Sequence, residues 1–292
     1  MRHCPTPARL PKNLSYPNLR PQMTHTVLIT GAAKRLGAEL TRSFARAGWQ
    51  VWCHYQRSEP EAKALQAELE AELQASVSNA GNTTAQRIHT VYADLASEAD
   101  IVAMVQTIRA HSGVLRCVVN NASSFDPDSG LSMDSASLMG QLQINLMAPL
   151  LLGRELARQA VEGVDHSVIH VLDQKVFNLN PDYFSYTVSK LALERSVALQ
   201  AQSFAPRVRV CGVAPGLMYP SGPQSLSNFE RASTVNLQRQ AIDPTDVAKT
   251  CVFLADNASI NGSTLCVDKG QHLVPLARDV MFAIDPANQG AA

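Results

Sequence analysis

The chain lacks a long apolar run, an excess of either charge and any paired cysteine spacing. No apolar stretch among its 292 residues approaches the roughly 20 that a membrane-spanning helix requires, so we expect a soluble protein without a membrane partner. Lysine and arginine together number 25 and aspartate and glutamate also 25, with no basic block, which argues against nucleic acid as a partner. The six cysteines show no Cys-x-x-Cys spacing, so we expect buried thiols in a reducing cytoplasm and no metal site.

Residues 1–23 lack acidic side chains and the apolar core of a secretory signal. We predict a disordered extension there, with a transit peptide or a translation start at Met23 as alternatives. No linker divides the remainder of the chain. Residues 24–292 are therefore predicted to form a single domain, which includes a C-terminal tail over about 271–292.

Short apolar segments alternate with amphipathic segments from Thr26 onwards. Apolar strands without a polar face indicate a parallel sheet that is covered by helices on both faces. We therefore predict an α/β chain with a doubly wound, Rossmann-type sheet. Its seven strands are expected at Val27–Thr30, Val51–Tyr55, Ile88–Leu95, Cys117–Asn121, Ser167–Asp173, Val208–Val213 and Ser263–Val267. The fourth and fifth strands are joined by a long predicted helix from Ser135 to Val161, interrupted near Pro149.

Ligands of such a fold bind at the C-terminal edge of the sheet. Asp94, at the end of the third strand, can accept a hydrogen bond from an adenine amino group or cap the helix that begins near Ser97. The residues expected to emerge at this edge are Thr30, His54, Asp94, Asn121, Asp173 and Pro215.

A glycine-containing turn follows the first strand. Gly31 permits a tight turn, Gly37 allows the next helix to pack closely on the sheet, and the helix N-terminus faces any phosphate placed there. Lys34, Arg35 and Leu36 lie between the glycines, and Arg35 stands where the usual dinucleotide fingerprint has glycine. This turn predicts nucleotide binding, although similar turns also occur without a ligand.

The end of the second strand favours NADP(H) over NAD(H). A carboxylate normally accepts the ribose hydroxyls of NAD about 20 residues past the glycines. Here the strand ends in the polar run His54, Tyr55, Gln56, Arg57 and Ser58. Arg57 and Ser58, with Arg35 across the turn, can converge on a 2′-phosphate. The alternative is that both arginines are solvated surface charges.

Tyr186 and Lys190 lie four residues apart at the start of a helical pattern, which places them on one helix face. A free phenol titrates near about 10, and a neighbouring cation lowers that pKa. Most such pairs are ordinary surface pairs. Here, however, the preceding strand delivers Asp173 at its C-terminal end, so the stretch from Asp173 to Lys190 is the predicted catalytic segment.

Five motifs in this order resemble the short-chain dehydrogenase/reductase superfamily, over about Thr26 to Gly270. They are the glycine turn, Asn120-Asn121-Ala122-Ser123 after the fourth strand, Asn145 in the long helix, the Tyr186 and Lys190 pair, and Pro215-Gly216 after the sixth strand.

Four departures from the common superfamily pattern resemble the pteridine reductases and the bacterial dihydromonapterin reductase-like proteins. Asp173 stands thirteen residues before Tyr186, where most members carry a catalytic serine. The other three are Arg35 in place of the second glycine, His54-Tyr55-x-Arg57-Ser58 at the end of the second strand, and Asn121-Ala122-Ser123-Ser124-Phe125 after the fourth.

The resemblance implies a role for each matching residue. Tyr186 would be the proton donor, Lys190 would lower its pKa and hold the nicotinamide ribose, and Asp173 would pair with Tyr186. Asn145 would support a water that links Lys190 to solvent, or else bond back within the helix near Pro149. Phe125 would stack a flat heterocycle against the nicotinamide, or simply pack its loop. Further implied cofactor contacts are Asn121, Ala122, Ser123, Pro215 and Gly216, and further implied substrate contacts are Ser123, Tyr183 and Leu217.

An aspartate at position 173 also discriminates between substrates. An ionised carboxylate would repel a developing alkoxide, whereas it suits a substrate that presents N–H donors or a protonated imine. The hypothesis is therefore NADPH-dependent reduction of a C=N bond in a dihydropterin. The alternatives are a carbonyl reductase in which protonated Asp173 mimics serine, and an NADP(H)-binding regulator without turnover. By analogy with relatives we expect a homotetramer, with the tail free to reach a neighbouring subunit's pocket.

Overall fold

A parallel seven-stranded sheet forms the centre of the computed structural model, which describes residues 25–77, 87–222 and 224–285. The strand order is β3-β2-β1-β4-β5-β6-β7, and every neighbouring pair is parallel. The strands are β1 Thr26–Ile29, β2 Gln50–Tyr55, β3 Ile88–Tyr92, β4 Leu115–Asn120, β5 His166–Val171, β6 Val208–Pro215 and β7 Thr264–Val267. This arrangement confirms the predicted doubly wound fold.

Helices cover both faces of the sheet. They are α1 Arg35–Arg46, α2 Glu59–Val77, α3 Glu98–Ser112, α4 Ser135–Leu142, α5 Ala148–Gln159, α6 Phe184–Phe204, α7 Leu226–Ala232, α8 Pro244–Asp256 and α9 Val280–Ala283. Short 3-10 turns lie at Gln174–Val176 and Gln271–Leu273, and a π-helical turn lies at Gln143–Met147. None of the described helices is both long and apolar enough to cross a membrane.

Two apolar cores form because successive strand side chains point to opposite faces of the sheet. Val27 and Ile29 of β1 belong to one core, while Leu28 between them belongs to the other. The first core is completed mainly by α1, α2 and α8, and the second by α3, α5 and α6. The strands carry uninterrupted apolar runs because the side chains on both faces of the sheet are buried.

The structure differs from the predicted elements in several places, among them the third strand, which ends at Tyr92 and not at Leu95. The long helix between β4 and β5 is broken by the π turn Gln143–Met147, which lies just before Pro149. Helices α7 and α9 were not predicted from the sequence. The predicted N-terminal extension over residues 1–23 lies outside the described residues, as do residues 78–86 between α2 and β3 and residues 286–292 of the tail.

The strand order positions the site. The chain winds outwards in one direction from β1 to β3 and in the other from β4 to β7, so β1 and β4 flank the switch point. In such sheets a crevice opens beyond the C-terminal ends of the strands at this point. The turns after β1, β2, β4, β5 and β6 therefore meet at one edge.

Burial predicts which leucines stabilise this scaffold. Leu152 of α5 is fully buried in the second core, whereas Leu131 is fully exposed in a loop. We expect Leu152→Ala to lower the free energy of unfolding by about 2–5 kcal/mol, because it removes buried methyl groups and leaves a cavity. Leu131→Ala is the matched control and should change it by less than about 0.5 kcal/mol in urea unfolding. Equal effects of the two substitutions would contradict the assigned core.

Candidate active site

A cavity of about 1070 Å³ opens at the C-terminal edge of the sheet. Its size suits a dinucleotide and a small substrate, because ligand pockets commonly span about 300–1,000 Å³. Every site residue predicted from the sequence lines it except Asn145 and Tyr183, which lie directly behind the wall. The described residues contain no group of three or more His, Cys, Asp or Glu side chains that could hold a metal ion.

Asp173, Tyr186 and Lys190 meet in the cavity wall. The Tyr186 hydroxyl donates a hydrogen bond of 2.9 Å to Asp173 Oδ2, and the backbone N–H of Lys175 donates one of 2.9 Å to Asp173 Oδ1. Lys190 Nζ donates to the carbonyl of Val171 at 2.8 Å and lies 5.7 Å from the centre of the Tyr186 ring. The end of β5 and the first turns of α6 thus hold an acid, a phenol and a cation together.

Burial shifts all three pKa values. It raises the pKa of Asp173 and, together with the charge of Asp173, raises the pKa of Tyr186 well above its usual value. Burial also lowers the pKa of Lys190 to about 8 despite the attraction of Asp173. The pKa of Tyr186 is therefore raised, whereas the sequence led us to expect that Lys190 would lower it. Tyr186 is held as a protonated phenol, which is the form that can donate a proton.

Asn145 connects the loop after β4 to helix α6 through four hydrogen bonds. Its buried side chain accepts hydrogen bonds from Ser123 Oγ at 3.1 Å and from the Ser124 N–H at 2.8 Å. Its amide donates to the Ser124 carbonyl at 2.9 Å and to Ser189 Oγ at 3.0 Å. The π turn carries this side chain between the loop after β4 and helix α6. Asn145 thus fixes Ser123 relative to Tyr186 and Lys190.

The glycine turn fits a phosphate. A Cβ at Gly37 would lie 2.0 Å from the carbonyl oxygen of Gly31, and one at Gly31 would lie 3.0 Å from the Cα of Ala122, so both positions require close backbone approach. Lys34 precedes α1 without capping it through its side chain. The first N–H groups of α1 therefore face the cavity, where an anion can accept their hydrogen bonds.

Two predicted cofactor contacts support this turn from behind. His54 Nδ1 accepts from the Gly31 N–H at 3.1 Å, and its Nε2 lies 3.1 Å from the Ala93 carbonyl. The Asn121 amide donates to the Thr30 and Gly31 carbonyls at 2.9 and 3.1 Å. Because these groups are already used, both residues position the turn, and neither side chain is free to bind a phosphate.

The arginines lie at the cofactor end of the cavity. Arg35 has a φ of 51°, the left-handed conformation that explains why glycine usually stands there, and its guanidinium donates to the Pro220 carbonyl at 2.8 Å. Arg57 makes no hydrogen bond or ion pair with the described part of the chain, so its guanidinium is available to a ligand. Lys34 pairs with Glu61 at 2.6 Å on the surface.

Asp94 does not cap the third helix. Ser97 caps it by accepting from the Asp100 N–H, while Asp94 Oδ1 accepts from the Ala96 N–H at 2.9 Å and from Gln56 Nε2 at 2.9 Å. The side chain lines the cavity near Tyr55 and Ser58. The adenine interpretation therefore stays open, whereas the capping interpretation was wrong.

Aromatic rings form the opposite wall. Phe125 stacks on Tyr183 with ring centres 4.1 Å apart and meets Tyr186 edge-on at 4.6 Å. Met281 and Phe282 of α9 pack against the same cluster. Residues 271–285, the described part of the C-terminal tail, therefore pack against the cavity of their own chain.

Several cavity residues had no signal in the sequence. Gln271 Oε1 accepts from the Leu217 N–H at 2.8 Å and lies beside Gly216, so it fixes the loop after Pro215. Lys175 follows Asp173 closely and was overlooked within the predicted segment. Asp279 could not have been found, because nothing local marks a partner 104 residues from Lys175.

Known proteins resemble this chain over most of its length. A family model described as Enoyl-(acyl carrier protein) reductase matches residues 31–272. Pteridine reductase 1 of Leishmania tarentolae is 31% identical over 284 residues, covering 84% of this chain and 96% of that protein. Dihydromonapterin reductase of Enterobacter sp. (strain 638) is 25% identical over 250 residues, covering 85% and 96%. Among solved structures, this chain resembles the crystal structure of FolM alternative dihydrofolate reductase 1 from Brucella canis complexed with NADP. The two sequences are 32% identical, the TM-score is 0.78, and the match covers 86% of this chain and 95% of that one.

The buried imidazole beneath the glycine turn predicts a pH dependence. Burial lowers the pKa of His54 from 6.5 to about 4, so the unfolded chain takes up this proton at a higher pH than the folded one. The stability that neutral His54 provides is complete above pH 6.5 and is lost as the pH falls towards 4. His54→Gln keeps a donor and an acceptor but does not titrate. It should flatten the decline of the unfolding free energy in this window by up to about 1 kcal/mol per pH unit, measured by urea unfolding. Parallel curves for variant and wild type would contradict the assignment.

Proposed function

The chain belongs to the short-chain dehydrogenase/reductase family, and from that premise we propose that it reduces a C=N bond of a dihydropterin with NADPH. The observation that carries the proposal is the 2.9 Å hydrogen bond from Tyr186 to Asp173, in which a carboxylate occupies the position that is commonly serine in this family. The similar pteridine and dihydromonapterin reductases, and the Brucella protein complexed with NADP, support the same substrate class and cofactor.

The residues of the cavity suit NADP(H). The N-terminus of α1 and the turn at Gly31 would hold the pyrophosphate, Arg35 and Arg57 the 2′-phosphate, and Asp94 the adenine. Ala122, Ser123, Pro215 and Gly216 line the path to Lys190, which would hold the nicotinamide ribose. When bound, the reduced cofactor supplies a hydride.

Tyr186 and Asp173 act on the proton side of the reaction. The protonated phenol of Tyr186 would donate towards a ring nitrogen, and Asp173 would accept an N–H from the pterin and stabilise positive charge that develops there. The two acids share one hydrogen bond and titrate as a coupled pair. Phe125 offers a flat apolar surface beside the catalytic phenol for the pterin ring.

Residues 24–292 would act as one catalytic domain, an assignment supported by the family match over residues 31–272 and by the tail that packs on the cavity. A cytoplasmic homotetramer is proposed by analogy with the family. Free cysteines at 53, 117, 211, 251 and 266 are compatible with a reducing compartment.

A carbonyl reductase is the second candidate, because burial raises the pKa of Asp173 and so favours the protonated form that could donate to a carbonyl oxygen. A regulator without turnover is disfavoured by the intact Tyr186 and Lys190 pair. Steady-state oxidation of NADPH with dihydrobiopterin, dihydromonapterin, dihydrofolate and a panel of ketones tests all three. Activity with ketones alone, or a preference for NADH, would contradict the proposal.

Substitutions of the catalytic pair separate the candidates further. Tyr186→Phe should lower kcat/KM for the dihydropterin by about 10²–10⁴-fold, because it removes the proton donor but keeps the ring. Asp173→Ser should lose pterin turnover if the carboxylate acts on the pterin, whereas preserved or gained ketone reduction in this variant would favour the carbonyl reductase. Pterin reduction that survives Asp173→Ser unchanged would contradict the role of the carboxylate.

Arg57 predicts the cofactor preference. We expect Arg57→Ala to raise the KM for NADPH about tenfold, because it removes a charged hydrogen-bond donor from the 2′-phosphate, and to leave the KM for NADH unchanged. Lys63→Ala is the control, since Lys63 lies nearby on α2 but pairs with Glu59 at 2.6 Å. An equal rise in the KM values for NADPH and NADH would show that Arg57 does not bind the 2′-phosphate.

A further inference from the structure

The C-terminal segment, residues 276–282, forms a wall of the cavity next to the catalytic pair. Leu276, Asp279 and Val280 line the cavity together with Asp173 and Tyr186. The short helix α9 turns Met281 and Phe282 inwards, where they are buried against Tyr183 and Tyr186. A substrate side chain that extends from a ring anchored at Asp173 and Tyr186 would therefore pass this segment.

A buried ion pair fixes the segment to the catalytic loop. Lys175 Nζ donates to Asp279 Oδ2 at 2.8 Å and to the Asp182 carbonyl at 3.1 Å, and it lies 5.1 Å from the centre of the Tyr183 ring. The backbone N–H of Lys175 is the group that holds Asp173. One residue thus joins the catalytic carboxylate to the wall.

Further contacts hold the segment on both sides. Arg278 Nε donates to both carboxylate oxygens of Asp182 at 2.9 Å, and the Asp279 N–H donates to Asp182 Oδ2 at 2.7 Å. On the far side, Asn228 of α7 donates to the Met281 carbonyl at 3.0 Å. The wall is therefore bonded both to the loop before α6 and to helix α7.

The wall turns the carboxylate of Asp279 towards the cavity, whereas the guanidinium of Arg278 is paired with Asp182 and does not line the cavity. The side chain of Lys175 is 4% exposed and that of Asp279 is 18% exposed, so the carboxylate covers the ammonium. Asp173 adds a second carboxylate, and Lys190 is turned to the Val171 carbonyl. The remaining described cations of the cavity, Lys34, Arg35 and Arg57, lie at its cofactor end.

We propose that Asp279 is a specificity-determining residue, which masks Lys175 and makes the wall select pterins with short, uncharged, hydroxylated side chains over pterins with an anionic chain. Hydroxyl groups can donate to the carboxylate of Asp279, whereas an anionic chain is repelled by it. This inference rests on the proposed pterin reduction and names the substrate class within it.

The test compares dihydrobiopterin, which has an uncharged side chain, with dihydrofolate, which ends in carboxylates. Asp279→Asn removes the carboxylate and leaves the Lys175 ammonium without its counterion at the wall. We expect the ratio of kcat/KM for dihydrofolate to that for dihydrobiopterin to rise about tenfold. A merely structural role of Asp279 would lower both values together and leave the ratio unchanged, which would overturn the proposal.

Asp285→Asn is the matched control. Asp285 lies in the same tail and pairs with Arg231 at 2.9 Å, but it does not line the cavity. This variant should leave the ratio at its wild-type value. A rise equal to that of Asp279→Asn would mean that loosening of the tail, and not the charge at Asp279, sets selectivity.

Ionic strength gives a second measurement that needs no variant. In the wild type, salt should raise the ratio at saturating NADPH, because it screens repulsion between the wall and the anionic chain. In Asp279→Asn salt should lower the ratio, because the interaction has become attractive. A wild-type ratio that stays constant or falls with salt would overturn the proposal even if the variant does not fold. If the wild type turns over neither pterin, the proposed function has failed, and this result is distinct from turnover without discrimination.

Discussion

The site depends on keeping one carboxylate and one phenol out of water while they share a proton. Asp173 and Tyr186 are bonded at 2.9 Å, and burial raises the pKa of both. A buried carboxylate is costly unless hydrogen bonds and charges compensate it. The N–H and the ammonium of Lys175 provide that compensation, followed by the Tyr186 hydroxyl and the ammonium of Lys190. The turn after β5 and the start of α6 are therefore constrained to one geometry, and the loops around them are positioned by it.

Much of the apparent ligand-binding surface is in fact supporting structure. His54, Asn121 and Asn145 carry polar groups that a sequence motif marks as important. In the structure each of them bonds to backbone groups of a turn that borders the cavity. Such residues are required because a turn at the border of a cavity leaves backbone N–H and C=O groups that must be satisfied by side chains behind it. A motif thus identifies a position in the site without saying whether the side chain touches the ligand.

The sequence predicted the parts of the molecule that depend on local or periodic signals. The strands follow from apolar runs, and the edge of the sheet at which Asp173 and Tyr186 meet follows from strand direction. The interruption of the long helix, predicted near Pro149, is a π turn at Gln143–Met147, which ends two residues before the proline that signals it. Helix α9 has only four residues and no periodic pattern that could reveal it. The pairing of Lys175 with Asp279 is entirely tertiary, so neither residue could be recognised from its neighbours.

Two ion pairs at opposite edges of the sheet differ in whether they face only the protein or also a cavity. At the N-terminal edge, Arg209 pairs with Asp165 at 2.7 Å and donates to the carbonyls of Leu254 and Ile260. These bonds connect parts of the protein to one another and do not face the cavity of the candidate active site. At the C-terminal edge, Lys175 and Asp279 form an equally short pair, but one partner faces a cavity. A buried ion pair adds little to stability compared with apolar packing, because desolvation offsets the attraction. The position of the Lys175–Asp279 pair beside the cavity is therefore better explained by its effect on a ligand than by its contribution to stability. The carboxylate of Asp279 faces the space that a ligand would enter.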